Sequence, residues 1–343
     1  MKLAIHNSQV GFHPRWRSYC TEKNIAFKSV DCYANDIVEQ LKDCSALMWH
    51  HSQGNPKDIV IAKQILFALE HTGLNVFPDF KTNWHFDDKV AQKYLLERIG
   101  AAMVPSHVFY DKQEALKWVN KTKFPKVFKL RGGAGSANVR LAKDKTEAKT
   151  LIKKAFGNGF ANYDAFGSLK ERFRKWRLDK TNFTDVLKGL VRFISPPPFA
   201  KVAGKEVGYA YFQDFIPNND SDIRIIIIAS KAFALKRYTR KGDFRASGSG
   251  DFGYAKDLFD ERCIKIAFEI TKNLAIQVGV FDFVFDEANK PLIVELSYGY
   301  SAPPYDHCPG YWDENLTWHE GQFNHEGWMV EGLLKQIDEN FSV

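Results

Sequence analysis

The sequence predicts a mixed architecture, with an α/β unit built on a parallel sheet at the front and α+β lobes built on strand hairpins behind it. Three observations lead there. Residues 1–82 alternate short apolar strands with apolar residues at helical spacing, the pattern of a parallel sheet with helices on its faces. Residues 207–238 and 279–297 instead run strand after strand across short polar turns. And 343 residues exceed one ordinary hydrophobic core, so two or three packed units are expected.

Strands at 3–6, 27–33, 46–49 and 75–77 alternate with helices at 16–23, 37–41 and 59–69. Loops at the carboxyl ends of such strands form a crevice, and here they would hold His6, Asn7, His50, His51 and Ser52. Each of these histidines is read first as a solvated loop residue. Asp87 or Asp88 can cap a helix whose apolar face is Val90, Tyr94, Leu95 and Ile99, which puts Lys89 in the first turn. A lysine there opposes the helix dipole, so it points to an anionic ligand rather than to helix stability. A strand at 106–110 and a helix at 112–119 follow.

In residues 124–141 an apolar strand carries Lys129, breaks into a loop with Gly132, Gly133 and Gly135, and resumes as a strand. Glycines let successive N–H groups turn toward one anion, and a lysine adds a point charge. The spacing is neither GxxxxGK[ST] nor GxGxxG before a helix, so a plain glycine hairpin and a nucleotide clamp both stay open here. Residues 147–156 read as a helix, and 169–178 are strongly basic with interleaved aromatics. That run is read as a solvated helix face, with a polyanion or membrane docking surface as the sharper alternative. Residues 194–199, with three consecutive prolines, are expected to be extended.

Strands then run at 208–216, 222–229 and 231–238, a polar segment at 241–253, a helix at 260–277, and a hairpin of 279–285 with 291–297. Asp282 and Glu295 sit inside that hairpin among Val, Phe, Ile and Leu. A turn near 287–289 would set them opposite each other, in reach of a shared hard cation; pairing of each with Arg or Lys is the plainer alternative.

Composition narrows the classes. With 45% hydrophobic and 26% charged residues the chain reads as soluble and globular, and no apolar run reaches the ~18 residues of a membrane span. The start turns polar after five residues, unlike a signal peptide, so a cytoplasmic location is expected. Cys20, Cys32, Cys44, Cys263 and Cys308 form no CxxC pair, which argues against a disulfide framework or a zinc site. The formal charge of +7 favours anionic partners, but the aromatics match no RNA-binding signature and no nucleic acid is expected.

The order of these elements resembles the ATP-grasp superfamily over nearly the whole chain. The resemblance implies an ATP-grasp fold with a Rossmann-like unit at 1–82, a small lobe at 83–212 with a basic insertion at 157–205, and a large lobe at 213–343. It implies that Lys89 and Lys129 hold nucleotide phosphates beneath Gly132, Gly133, Gly135 and Ser136. Gln213, Asp214, Phe215 and Ile216 would seat adenine at the hinge, and Asp222 would face the ribose. Lys236-Arg237 and then Gly242-Asp-Phe-Arg245 are similar to the ribosomal-protein glutamate ligases, in which that last arginine faces the transferring phosphate. Asp282, Glu295 and Ser297 stand where the metal ligands would be.

Two positions depart from the pattern. The chain reads Glu295-Leu-Ser297 where Glu-x-Asn is common, and Phe-Arg245-Ala-Ser247 where Phe-Arg-Ser-Asn is usual; a serine hydroxyl is a weaker ligand than an amide carbonyl. The resemblance implies ATP with two Mg²⁺ ions, Mn²⁺ being the substitute, and a carboxylate–amine ligase that works through an acyl phosphate. Simple phosphotransfer and a nucleotide-binding protein without turnover are the alternatives. The implied partners are a small-molecule or glycan carboxylate and an amine, with the oligomeric state open and a homodimer included. A weaker resemblance, to ATP-grasp proteins encoded with bacterial surface-polysaccharide enzymes, rests on Tyr211-Phe-Gln-Asp-Phe-Ile-Pro217 and the aromatic tail at 297–321. It implies a uronic acid as acceptor and a sugar-binding tail; a hydrophobic cap over a C-terminal helix at 326–338 is the alternative for the tail.

Overall fold

Four short parallel strands open the chain: β1 (Leu3–His6), β2 (Phe27–Val30), β3 (Ala46–Met48) and β4 (Asn75–Phe77), in the order β2-β1-β3-β4. The crossovers are α1 (His13–Glu22), α2 (Ile37–Gln40) and α3 (Pro56–His71). Every residue of β1 and β3 is buried, because helices cover both faces of a parallel sheet. Asn55 starts α3 by accepting from the Lys57 N–H, with Pro56 preset for the first turn. The computed structural model describes residues 1–132, 138–177, 181–240, 243–246 and 248–341.

After α4 (Phe80–Asn83) and α5 (Lys89–Arg98) comes a second sheet. Its elements are β5 (Ser106–Phe109), α6 (Lys112–Lys121), β6 (Lys126–Lys129), β7 (Val139–Ala142) and α7 (Lys145–Ala155). A two-stranded pair of β8 (Phe160–Ala161) and β9 (Lys205–Glu206) brackets three helices, α8 (Ala165–Arg177), α9 (Phe183–Val191) and α10 (Pro198–Ala203). Strand β10 (Ala210–Asp214) then returns between β5 and β6 in an antiparallel sheet ordered β5-β10-β6-β7. Ala115, Val119, Ala148 and Ile152 of α6 and α7 close its core over Phe128 and Phe212.

The largest sheet runs β15-β14-β11-β12-β16-β17. It consists of β11 (Ser221–Ile228), β12 (Lys231–Tyr238), β13 (Phe252–Gly253) beside β12, β14 (Val278–Phe285), β15 (Pro291–Ser297), β16 (Gly310–Asp313) and β17 (Trp318–Glu320). Helices α11 (Glu261–Leu274) and α12 (His325–Phe341) cover opposite faces. Strand alternation makes those faces. Ile223, Ile225 and Ile227 meet α11, while Ile226, Ile228, Phe233, Leu235 and Val280 meet α12 together with Leu3, Ile5 and Trp16 of the first unit. The N-terminal unit and the large lobe therefore share one core rather than standing apart.

Four expectations change. Helix α5 packs on the large lobe, not the small one: Leu96 is 2% exposed among Ile293, Leu296 and Phe281, and Val104 N–H bonds the Ile293 carbonyl. Burying such a leucine stabilises by about 1.5–3 kcal/mol, which fixes the choice of lobe. At the other boundary, Gln213 and Asp214 still belong to the small-lobe strand β10. The proline run is not extended throughout, because Pro198 begins α10, where a missing N–H costs nothing. The aromatic tail is core: Tyr298, Tyr305 and Trp312 are at most 4% exposed, and β16 extends the sheet.

Candidate active site

A cavity of about 820 Å³ lies where the first unit and both lobes meet. Its floor is the face of the large sheet that buries Ile226 and Phe233 further along. Asp222 and Arg224 occupy alternate positions of β11; Arg237 of β12 stands opposite Asp222, Asp282 of β14 opposite Arg224, and Glu295 of β15 opposite Asp282. The result is a ladder of charges across four strands. Arg237 grips Asp222 with Nε at 2.6 Å and Nη2 at 2.7 Å, Arg224 grips Asp282 in the same two-pronged way, and Arg237 Nη2 also reaches Asp282 at 2.7 Å. Burial disfavours both carboxylates, but Asp282, with two guanidiniums, is held well below the usual range. Asp222, with one guanidinium and Asp282 nearby, is raised above it.

The two lysines converge above Glu295. Asp87 takes a left-handed backbone (φ 55), which asparagine and aspartate tolerate better than most, and turns the chain so that Asp88 caps α5 through the Val90 and Ala91 N–H groups. Lys89 thus begins the helix inside the cavity, 6% exposed, with Nζ 3.2 Å from Glu295 Oε1. Burial opposes its charge, but Glu295 and Asp87 outweigh that and its pKa is raised. Lys129, at the end of β6, donates to Gln213 Oε1 at 2.5 Å. Burial lowers it to about 8, despite Glu295. Gln213 in turn donates to Ser106 and to the carbonyl of Val294, the β15 residue skipped by a register shift after Asp282.

Gly132 approaches Asp87 so closely that a Cβ would lie 3.2 Å from its carboxylate, and Arg131 C=O accepts from Lys89 N–H. Arg131 and Gly132, just past the end of β6, and the lysine helix are therefore pinned together. Gly133, Gly135, Ser136 and Ser247 lie outside the described residues. At the hinge, Asp214, Phe215 and Ile216 line the cavity, but the Asp214 carboxylate is engaged by His107 and by Lys126 at 2.5 Å. Arg245 also lines it, aligned by Asp243 through Nε and Nη2.

The far end of the cavity is different chemistry. His6, His13, His50 and His51 line it, and burial lowers the pKa of all four, His13 and His51 to about 4. Burial thus favours the neutral form of each, and the bonds of two follow: His13 Nδ1 donates to Val10 C=O while its Nε2 accepts from His50 N–H, and His50 Nδ1 accepts from Phe12 N–H. The expectation of solvated loop histidines is overturned for His6 and His51, each 4% exposed, while His50 is half-buried and stacked on Phe12.

Other expected residues move too. Lys236 neighbours Arg237 on β12 and so points to the opposite face; it is absent from the cavity lining and its Nζ sits over the Tyr238 ring. Arg237 is 5% exposed and bound within the ladder, and Asp222 is tied to it rather than left facing a ribose. Arg224, which completes the ladder, was passed over, although its i+2 spacing from Asp222 places it on the same face. A hard cation needs carboxylate oxygens turned toward it. Glu295, about a third exposed in the cavity, fits; Asp282 is enclosed by two arginines, and the Ser297 hydroxyl turns back to Gly299 N–H and C=O. Among the described residues no three His, Cys, Asp or Glu cluster to hold an ion. As a set, Asp282, Glu295 and Ser297 do not form a ready metal site.

Two family models match separate parts of this arrangement. One, described as the RimK-like ATP-grasp domain, covers residues 205–302; the other, the ATP-binding domain of the carbamoyl-phosphate synthase L chain, covers residues 88–177. The chain has the fold of the ATP-grasp proteins. Solved structures agree along the full length: a D-alanine–D-alanine ligase from Bacillus anthracis, also solved complexed with ATP, is 13% identical with TM-score 0.58 over 99% of each chain. The D-cycloserine synthetase DcsG is 11% identical with TM-score 0.60, over 98% of this chain and 100% of its own. A RimK-domain ATP-grasp protein from Sphaerobacter thermophilus is 11% identical with TM-score 0.55, over 97% and 100%. At these identities the likeness establishes the fold. No curated protein matches in sequence.

Proposed function

We propose that this protein is an ATP-dependent carboxylate–amine ligase. The observation that carries the reading is the convergence of Lys89 and Lys129, from different lobes, over Glu295 in a cavity that continues into the N-terminal strand-end loops. One chamber thereby offers a cationic end for a polyphosphate and an end lined by uncharged histidines for a second substrate. Lys89, Lys129 and Arg245 would screen the phosphates from an attacking carboxylate, and the backbone of Asp214 to Ile216 would seat the adenine. The carboxylate oxygen attacks the γ-phosphorus as the bond to ADP breaks. An amine then attacks the acyl carbonyl, phosphate leaves, and the amine gives up a proton. The reaction needs positioning and charge more than a covalent nucleophile. ATP is proposed to arrive with Mg²⁺, which would neutralise phosphate charge, with Glu295 as the protein carboxylate nearest to hand.

The acceptor is proposed to be a carboxylate carried on an otherwise uncharged body, a uronic acid of a surface glycan being the case inferred from resemblance. The neutral histidines and the Tyr33–Asp58 hydrogen bond at that end suit hydroxyl groups better than a second anion. Candidate acids supplied with ATP and hydroxylamine should give ADP and a hydroxamate. A phosphate ester with no acyl product would instead establish phosphotransfer. The enclosure of Asp282 and the turn of Ser297 favour a second reading, a nucleotide-binding protein without turnover, for which ATP binds and no ADP forms with any acid.

A further inference from the structure

The charge of this protein is concentrated in one place. Residues 165–205 contain ten Lys or Arg and three Asp or Glu, a net +7; the remaining thirty-eight basic and thirty-eight acidic residues cancel. The same stretch holds the exposed apolar surface. Among the described residues, eleven of the eighteen exposed large hydrophobic side chains lie from Phe166 to Val207.

Helix α9 shows how. Its Val186 and Gly189 turn inward, and Gly189 has room for no Cβ against Leu169 and Arg172 of α8, whose guanidinium bonds Asp185. The outward side carries Phe183, Leu187, Leu190 and Val191, each 46% to 60% exposed, and Ile194 beyond the helix is 91% exposed. The spacing i, i+4, i+7, i+8, i+11 makes one apolar stripe, here facing solvent instead of a core. Lys188 and Arg192 lie beside it and share a shallow trough with Leu187 and Val191. Phe173 and Trp176 of α8 extend the stripe, the Trp176 ring lying 5.5 Å from Phe173 and 5.2 Å from Phe183.

A solvent-facing apolar stripe of this extent marks an interaction surface. We propose that the α8–α9 hairpin docks the protein on an anionic lipid bilayer, with Phe183, Leu187, Leu190, Val191 and Ile194 entering the acyl boundary and Lys188 and Arg192 at the headgroups. Basic residues flanking an aromatic and aliphatic face are what an interfacial helix presents to lipid. A second copy of the chain is a poorer occupant, because two surfaces of net +7 would repel. A soluble polyanion would leave the leucines unused. No helix among the described residues is long and apolar enough to span a membrane, so the contact is peripheral. The hairpin leaves the small lobe at β8 and β9, where Asn138 beside the glycine loop donates to Asn162 C=O, so the docked lobe is the one that carries Lys129. The proposal is independent of the ligase reading.

The test is sedimentation of the full-length protein with phosphatidylcholine vesicles, with and without phosphatidylglycerol. Binding is expected to the anionic vesicles and to be weak on phosphatidylcholine alone. Lys188→Gln with Arg192→Gln should lower partitioning about thirtyfold, and Leu187→Ser with Leu190→Ser should lower it at least tenfold, while circular dichroism stays unchanged. No sedimentation with anionic vesicles overturns the proposal. So does retention unchanged by the leucine substitutions, which would reduce the surface to a charge site, or a concentration-dependent dimer that those substitutions dissolve.

Discussion

The charge ladder and the two lysines make separate predictions residue by residue. A polyphosphate binds the protonated form of Lys129, whose pKa of about 8 reflects its burial. ATP affinity should therefore be full below about pH 8 and fall above it, by up to tenfold per pH unit. Lys129→Arg keeps its charge at all these values and should flatten the profile; calorimetric titration of ATP across this range decides, and an equal slope in the variant removes Lys129 as the titrating group. Folding runs the other way. The unfolded lysine holds its proton up to its ordinary value of 10.5, so this residue's contribution to stability rises between pH 8 and 10.5. Within the ladder, Asp282→Asn leaves the buried Arg224 without its carboxylate and takes from Arg237 one of its two, and should cost about 3–5 kcal/mol in urea unfolding. Asp222→Asn should cost clearly less, because burial already raises the Asp222 pKa toward the neutral form. Equal costs would mean that the arginines are shared evenly. Glu295→Gln should leave the fold intact and abolish ADP formation, and retained turnover would remove Glu295 from the chemistry.

Regular elements were legible because their signals are local. Periodicity places β1, β4, β12 and β15 at the residues where they stand, and the hairpin sets Asp282 against Glu295, a pairing reached through the register shift that skips Val294. What failed needed tertiary information or a stricter use of alternation. Lys236 and Arg237 cannot both enter one cavity from a single strand, and that much was readable. The destination of α5 was not, since its apolar face shows that it packs but not against which lobe. The same limit hid the burial of His51, whose cover comes from Phe86 and Tyr298, far along the chain. The helical insertion is the opposite case, an element whose absence the fold should survive. Phe160 pairs with Glu206 and Ala161 with Lys205, so a tight turn can replace residues 163–204 without opening the sheet. Helix α10 of the insertion packs on α3, so the shortened protein should keep its ATP affinity within about twofold while its thermal midpoint falls by several degrees. Loss of ATP binding would show that the insertion builds the site rather than carrying a surface.

Across the whole molecule, the division of the core decides how the protein opens. The first unit and the large lobe are welded, since Leu3, Ile5 and Trp16 share one cluster with Ile226, Phe233, Val280 and Met329. The small lobe has its own cluster under α6 and α7 and joins the rest through the packing of α10 on α3 and through polar ties such as Gln213 to Val294 and Lys89 N–H to the Arg131 carbonyl. None of the buried apolar clusters among the described residues spans that seam, so the small-lobe sheet should exchange amide hydrogens as a unit, ahead of the remainder. Nucleotide bound between Lys89 and Lys129 would bridge the seam, and a ligand at a hundred times its Kd stabilises what it binds by about 2.7 kcal/mol. Hydrogen exchange read by mass spectrometry should therefore show Ser106–Phe109, Lys126–Lys129 and Ala210–Asp214 exchanging first without ATP, and protected about a hundredfold with it. Strands β1 and β11 should be slow in both states. Protection confined to the glycine loop would mean that the nucleotide closes a flap without joining the lobes, and the seam would then have to be held by something other than the phosphates.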